Sequence, residues 1–213
     1  MTDSSSGPPP ADDADGRPQE WQERDAWTAL DDLDASPALV PASEWPAGVT
    51  DVDRPGLFAF WIDAAGAADL ARSLELALEA GRVYAGQAGA TRWPSGKAND
   101  DTLGHAVGQV HLGGKVRMSA LRWTLAAILF DQLELQGQAA MLITPASEQA
   151  LSAWMRAHLS VAVHAHDDRD TLSGLGQAIV QRLDPPLNID DHLPATSVRQ
   201  SVIALRRRIS REG

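Results

Sequence analysis

The chain has 213 residues, of which 44% are hydrophobic, and carries a formal net charge of −11. This is enough apolar material for one ordinary core, so we expect one domain, with or without a tail. The lack of cysteine excludes disulfides and thiolate metal sites. No run approaches the roughly 18 apolar residues of a membrane span, and the N-terminal end lacks the residue order of a signal peptide. We therefore expect a cytoplasmic protein with no membrane partner.

The negative charge is concentrated at the N-terminal end. Residues 1–54 hold 13 acids and 3 bases, whereas residues 55–213 hold 16 acids and 15 bases. The C-terminal end is basic and includes five arginines: Arg199, Arg206, Arg207, Arg208 and Arg211. An even spread of negative charge would argue against nucleic acid, because phosphate binding needs a basic surface. The polarised charge leaves that function open, and the alternative is a solvated helix end whose bases complement the helix dipole.

The first fifty residues divide into a tail and an entry segment. Residues 1–20 are rich in Ser, Pro, Gly and Asp with almost no apolar content, which predicts a disordered acidic tail. In residues 21–54, the spacing of apolar side chains predicts a short helix from Trp21 to Leu33. Proline-punctuated loops then lead into the main domain.

The rest of the chain alternates between strand and helix patterns. The apolar run "GLFAFWI" from Gly56 predicts a buried strand, and "RVYAGQAG" from Arg82 predicts a second strand that pairs with it. Leucines at helical spacing between them predict a helix that ends at Gly81. A loop of about a dozen residues follows the second strand, and "SVAVHAH" predicts a third strand. Further helices are predicted over residues 102–111, 118–130, 145–159, 171–183 and 197–211. Three strands among these helices predict an α+β fold with mixed α/β layers.

Several short strings stand in an order and spacing that resemble the GIY-YIG nuclease superfamily. "GLF" and "YAG" occupy the places of the two tripeptides in the family name, "WPSGK" and "HLGG" flank the next helix, and "LDPPLN" closes the domain. The resemblance covers residues 55–190; we assign residues 55–195 to the domain and residues 196–213 to a basic C-terminal helix. It implies a small three-stranded antiparallel sheet flanked by helices. It also implies phosphodiester cleavage with a divalent metal, Mg²⁺ or Mn²⁺.

Three candidate catalytic residues match positions of the family pattern. Tyr84 matches the tyrosine of the second strand, His111 matches a histidine about one helical turn beyond position 106, and Asn188 matches the asparagine of the last loop. A phenol or an imidazole can take a proton from water, so two of these residue types fit hydrolysis. Each also has a structural alternative. These are a packed strand aromatic for Tyr84, a histidine at a helix C-terminus for His111 and a turn residue for Asn188.

Three other positions of the pattern are substituted, and each substitution removes a polar group. Phe58 stands where the first-strand tyrosine is expected, and Ala106 stands where the resemblance places a phosphate-binding arginine. Gly176 stands where it places the metal-binding glutamate. A phenyl ring cannot pass a proton, and the loss of the carboxylate leaves no evident group to hold the cation. We therefore expect impaired cleavage and assign no metal ligand.

A few other residues are candidates to replace the missing groups. Arg122, in the helix after "HLGG", is a candidate for the phosphate contact, and its alternative is a surface or stacking residue. The replacement carboxylates are Glu148, Asp190 and Asp191. A histidine pair on the third strand, His164 and His166, precedes two acids, a pattern that fits either a metal pair or an exposed turn.

Two functional hypotheses follow from these substitutions. The first is a weakened endonuclease that contacts DNA with bases of the long loop and the C-terminal helix: Lys97, Arg206, Arg207 and Arg208. The second is an inactive module that keeps the nuclease fold and binds nucleic acid, or binds a protein partner through the acidic tail. Because one fold hosts many functions, the site itself has to distinguish them.

Overall fold

The structure is a computed structural model that describes residues 23–34, 39–92, 94–97, 99–138, 142–189 and 192–212, with side chains up to residue 209. The predicted acidic tail, Trp21 and the candidate carboxylates Asp190 and Asp191 lie outside these residues. Among the helices described, none is long and apolar enough to cross a membrane.

The centre of the fold is an antiparallel sheet of four strands. These are β1 (Val40–Pro41), β2 (Gly56–Ile62), β3 (Gly81–Ala88) and β6 (Leu159–Ala165), in the order β1-β6-β2-β3. A separate two-stranded sheet joins β4 (Gly137–Gln138) to β5 (Leu142–Ile143). The predicted α+β class and the pairing of β2 with β3 are confirmed. The prediction of three strands is wrong by one, because β1 is too short to show an alternating pattern and contains a proline, which edge strands tolerate.

Helices surround the sheet on both faces. They are α1 (Glu23–Asp34), α2 (Ala64–Leu74), a π-helix (His105–Leu112), a short 3₁₀ turn (Val116–Met118), α3 (Ala120–Leu129), α4 (Pro145–His158), α5 (Arg169–Leu183) and α6 (Ser197–Glu212). A helix is present in each region where the sequence predicts one. Two predictions need correction. The segment predicted as a helix over 102–111 is largely a π-helix. The helix predicted to end at Gly81 ends at Leu74, because Glu75 takes a left-handed conformation (φ 55°) and donates its N–H back to that helix.

The two faces of the sheet pack against different helices. Because side chains alternate along a strand, Phe58 and Phe60 face a core built with α2, α3, α4, α6 and the π-helix. Leu57 and Ala59 face a second core built with α1 and α5. Tyr84 pairs with Phe60 across β2 and β3 and belongs to the first core. The family positions on the strands and those on α5 are therefore separated by the sheet and approach each other only at β3, its edge strand.

Candidate functional site

Four rings form an aromatic cluster on the first face of the sheet. The ring of His111 lies 5.1 Å from Phe58, 5.6 Å from Phe60 and 5.6 Å from Tyr84, measured between ring centroids. The rings of Phe58 and Phe60 meet edge to face at 5.9 Å, a favourable aromatic geometry. The structure thus brings together Tyr84 and His111, two of the three candidate catalytic residues.

The Phe58 ring covers Gly86, the glycine of the "YAG" string. A Cβ added at Gly86 would lie 2.6 Å from Phe58 Cζ, which is far inside van der Waals contact. Phe58 is 2% exposed, so its ring is fixed between β3 and the helical layer. The substituted first-strand position is therefore a packed core residue with no polar atom.

His111 is buried against the same rings. Its Nδ1 lies 2.7 Å from the hydroxyl oxygen of Ser119, and the side chain is 7% exposed. Burial, followed by the charge of Arg122, lowers the pKa of His111 to about 4. The imidazole is consequently neutral near pH 7, and a base with so low a pKa accepts a proton poorly.

The hydroxyl of Tyr84 is also held in its neutral form. Burial raises the pKa of Tyr84 to about 12, and the nearby Arg206 charge opposes that shift only in part. Arg206 comes from α6 and donates to the carbonyl of Ala120 (2.8 Å) and to the Thr124 hydroxyl. A phenol with a raised pKa is not a phenolate at neutral pH, so Tyr84 can donate a hydrogen bond there.

Ala106 lies inside the wide turns of the π-helix. The N–H of Gly113 donates to the carbonyl of Gly108 at 2.9 Å, the five-residue spacing of that helix. Ala106 is 5% exposed and belongs to the first core. An arginine at this position would need space that neighbouring apolar side chains occupy.

Asn188 is bound to the outer edge of β3. Its Nδ2 donates to the carbonyl of Ala85 and its Oδ1 accepts the N–H of Ala85, both at 2.9 Å. The N–H of Leu187 donates to the carbonyl of Val83 at 2.9 Å. The "LDPPLN" loop therefore pairs with the sheet edge like a short strand. Both ends of the Asn188 amide bond to the backbone of β3 at Ala85 and not to the backbone of the turn that precedes Asn188.

Arg199 holds this loop in place, and its role was not found from the sequence. The buried guanidinium donates to the carbonyls of Asn188 (3.0 Å), Pro194 (2.8 Å) and Pro185 (2.9 Å), and to the Asp184 carboxylate (2.6 Å). The sequence analysis counted Arg199 only as part of the basic C-terminal end. Its one available signal was its separation from the run of three consecutive arginines farther along the helix.

Gly176 lies on the opposite side of β3, at the floor of an open cavity of about 390 Å³. A Cβ added at Gly176 would be 2.2 Å from the side-chain oxygen of Gln87, so the glutamine amide occupies the space beside the missing side chain. The cavity residues are Gly86, Gln87, Ser173, Gly176, Gln177, Val180, Gln181, Asn188, His192 and Leu193. Amides therefore dominate the polar lining, and none of the described lining residues is a carboxylate.

The residues present do not fit a divalent cation. Mg²⁺ and Mn²⁺ prefer carboxylate oxygens, and the carboxylate position of the family is Gly176. Within the described part of the chain, no group of three or more His, Asp or Glu residues is arranged to hold a metal ion.

The proposed replacements that lie within the described residues have partners of their own. Arg122 is fully buried and forms an ion pair with Glu148 at 2.7 Å, so the surface alternative for Arg122 is wrong. Its guanidinium also donates to two backbone carbonyls at the end of the π-helix. His164 Nδ1 lies 2.8 Å from an Asp32 carboxylate oxygen on α1, and His166 Nε2 lies 3.0 Å from the Thr171 hydroxyl.

The four bases proposed for DNA contact lie in different surroundings. Lys97 is exposed in the long loop, where its carbonyl accepts the N–H of Arg92 at 3.0 Å. Arg207 is exposed on α6. Arg208 pairs with Asp131 at 2.9 Å, and Arg206 points toward α3 and Tyr84. The run of three arginines is therefore not a single outward-facing group.

Comparison with known proteins gives one match. The sequence matches the model of the GIY-YIG catalytic domain over residues 67–208, which is more than half of the chain. No curated protein and no solved structure matches it. The matched range includes Tyr84, Ala106, His111, Gly176 and Asn188 and begins after β2, so the correspondence of Phe58 depends on the pairing of β2 with β3. With this match, and with an α+β fold that places the family positions around one edge strand, the chain belongs to the GIY-YIG family.

Proposed function

We propose that this chain is a nuclease-like binding module, a GIY-YIG domain whose metal-dependent cleavage is impaired and which binds nucleic acid. The observation that carries the proposal is the floor of the cavity, where Gly176 and the neutral amide of Gln87 stand in place of a metal-binding carboxylate. Hydrolysis of a phosphodiester needs charge stabilisation as the transition state forms. Neutral amides supply little of it.

The aromatic cluster also supports impaired cleavage, because its groups are poorly suited to proton transfer. A general base works best with a pKa near the working pH. Burial takes the pKa of His111 down to about 4 and that of Tyr84 up to about 12, so neither group is poised near pH 7. Phe58 offers no polar atom, and Ala106 offers no positive charge for the phosphate.

Nucleic-acid binding is supported by the distribution of charge and polar groups. The body of the chain is almost neutral once the acidic residues 1–54 are set aside. Exposed Arg92 and Lys97 face each other across a small antiparallel bridge of the long loop. Contacts from such bases to phosphates make binding dependent on salt.

A plasmid-nicking assay with Mg²⁺ and with Mn²⁺ tests the loss of cleavage. We expect no nicking above a buffer control by the wild-type protein. Metal-dependent nicking that disappears in a Tyr84→Phe variant would contradict the proposal, because it would show a working site. The Phe variant serves as the control against a contaminating nuclease.

Restoring the missing groups makes the test sharper. A triple variant, Ala106→Arg with Gly176→Glu and Gln87→Ala, returns the arginine and the glutamate and frees the space that Gln87 occupies. We expect Mn²⁺ binding by calorimetry to appear first, and nicking to follow only where the buried arginine is accommodated.

DNA binding is measured separately, on a variant lacking residues 1–22, at low and high salt. No binding at low salt would refute the nucleic-acid part of the proposal.

A further inference from the structure

The cavity above Gly176 continues into a second cavity along β3 and α5. The second cavity has a volume of about 490 Å³ and shares Gln87 and Ser173 with the first. Its remaining lining is Gly89, Ala90, Thr91, Arg92 and Asn99. Two cavities that share two wall residues form one groove, which lies outside the aromatic cluster.

The first end of the groove is neutral and rich in amides. Gln177 and Gln181 lie one turn apart on α5 and both are exposed, while Gln87 approaches from β3. A glutamine amide both donates and accepts hydrogen bonds, as the edge of a nucleobase does. Val180 and Leu193 add apolar surface to the same end. A volume of about 390 Å³ is within the range of small-molecule sites.

The second end of the groove carries one exposed arginine, Arg92. The guanidinium of Arg92 is exposed and, among the residues that the structure describes, takes part in no ion pair. Behind the wall, Arg169 donates to the backbone carbonyls of Gly89 (2.8 Å), Asn99 and Asp101 (3.3 Å). The Asp170 carboxylate accepts a hydrogen bond from the Thr91 hydroxyl at 2.7 Å on the same side, so the exposed Arg92 is the group at this end that can contact a phosphate.

We propose that this groove binds a nucleotide unit, with the base in the amide-lined end and the phosphate at Arg92. The inference rests on the proposed function and narrows it to a substrate class, an unpaired nucleotide. An unpaired base exposes its Watson–Crick edge to hydrogen bonds from side chains such as glutamine, whereas base pairing occupies that edge in a duplex. The bound nucleotide unit belongs either to a single-stranded nucleic acid or to a free nucleotide.

Gly176 is the residue that keeps the amide end open. A Cβ there would lie 2.2 Å from the side-chain oxygen of Gln87, so any larger side chain would turn the Gln87 amide away from its present place in the groove. The glycine that removes the metal carboxylate thus also makes room for an amide-lined site. One substitution accounts for both the loss of a cation site and the gain of a neutral one.

Binding is measured by fluorescence anisotropy with labelled single strands of adenine, thymine or cytosine and with a labelled duplex, and by calorimetry with the corresponding nucleoside monophosphates. The groove variants are Gln177→Leu, which removes one amide, and Arg92→Gln, which removes the charge. The matched controls are Gln200→Leu, an exposed glutamine of α6, and Arg156→Gln, an exposed arginine of α4.

We expect the wild-type protein to bind single strands more tightly than duplex. Gln177→Leu should weaken binding about tenfold with an unchanged salt dependence, because it removes a neutral contact. Arg92→Gln should weaken it about tenfold and reduce the salt slope by about one, because it removes a phosphate contact. Both controls should leave binding unchanged.

Each other result overturns a specific statement. Single-strand binding that is insensitive to both groove variants, or equally sensitive to the controls, refutes the groove and leaves the proposed function intact. Binding of monophosphates without binding of oligonucleotides supports the groove and refutes the nucleic-acid function. The absence of binding to every probe refutes both.

Discussion

The two sides of β3 differ in how tightly they are packed. On one side, Phe58 and His111 are packed into a buried aromatic cluster. The phenyl ring of Phe58 stands there at the position that the family resemblance assigns to a tyrosine. On the other side, Gly176 opens onto a cavity whose described polar side chains are mostly neutral amides. The difference shows that one side of an edge strand can be filled with core side chains while the other side stays open. An open cavity lined by polar side chains can bind a ligand.

The largest expected effect on stability comes from the "LDPPLN" loop, which joins the two sides of β3 and is held by Arg199. Replacing Arg199 with Met should lower the free energy of unfolding by about 3–5 kcal/mol, because three buried carbonyls and the Asp184 carboxylate lose their donor. Urea denaturation measures it. Arg207→Met, an exposed position on the same helix, should change stability by no more than about 0.5 kcal/mol. Equal effects of the two variants would mean that Arg199 does not hold the loop.

The burial of His111 in the aromatic cluster predicts that the stability of the fold depends on pH. The pKa of His111 is about 4 in the folded protein, against about 6.5 in an unfolded chain. As the pH falls from about 6.5 to about 4, the unfolded chain takes up a proton that the folded one does not. The folded protein should lose about 3 kcal/mol over that range relative to His111→Gln, which has no titrating group there. Parallel stability profiles of the two proteins between these pH values would show that His111 is solvated.

The packing of Phe58 predicts a cost for filling Gly86. Gly86→Ala places a methyl group 2.6 Å from a ring that the core holds in place, so we expect a loss of about 1–3 kcal/mol. Thermal or urea unfolding measures the change. A Phe58→Leu background, which removes the ring, should reduce the cost of the alanine. The cost would be the same in both backgrounds if the ring were mobile.

On the side of β3 that faces the cavity, we expect a glycine-to-alanine substitution to change stability in the opposite direction from Gly86→Ala. Gly176→Ala should raise stability by up to about 1 kcal/mol, because alanine favours the helix and the clash is with the end of the exposed Gln87 side chain, which can turn away. The same unfolding assay applies. A loss as large as that of Gly86→Ala would show that the cavity is as tightly packed as the aromatic side.

Much of the fold was predictable because it follows local patterns. Alternation and helical spacing located β2, β3, β6 and the main helices, and the pairing of β2 with β3 placed Phe58 and Tyr84 on one face. The two-residue strand β1 and the π-helix were not predicted, since neither has a periodic signal of its own.

The candidate site was only partly predictable for a different reason. The substitutions at Phe58, Ala106 and Gly176 are visible in the sequence, but what replaces them is not. The bonds from Asn188 to Ala85, and from Arg199 to the "LDPPLN" loop, join residues that only the folded chain brings together. The amide of Gln87 beside Gly176 is likewise a contact between a strand and a helix, and no spacing rule in the sequence reports it.

The most direct test of the central claim is a titration of the wild-type protein with Mn²⁺, followed by amide NMR signals. The account predicts that the signals of Gly86, Gln87, Gly176 and Asn188 keep their intensity relative to the rest of the chain when the metal is added, because the neutral cavity holds no cation. Selective loss of those signals at stoichiometric Mn²⁺ would place an ion beside β3 and contradict it.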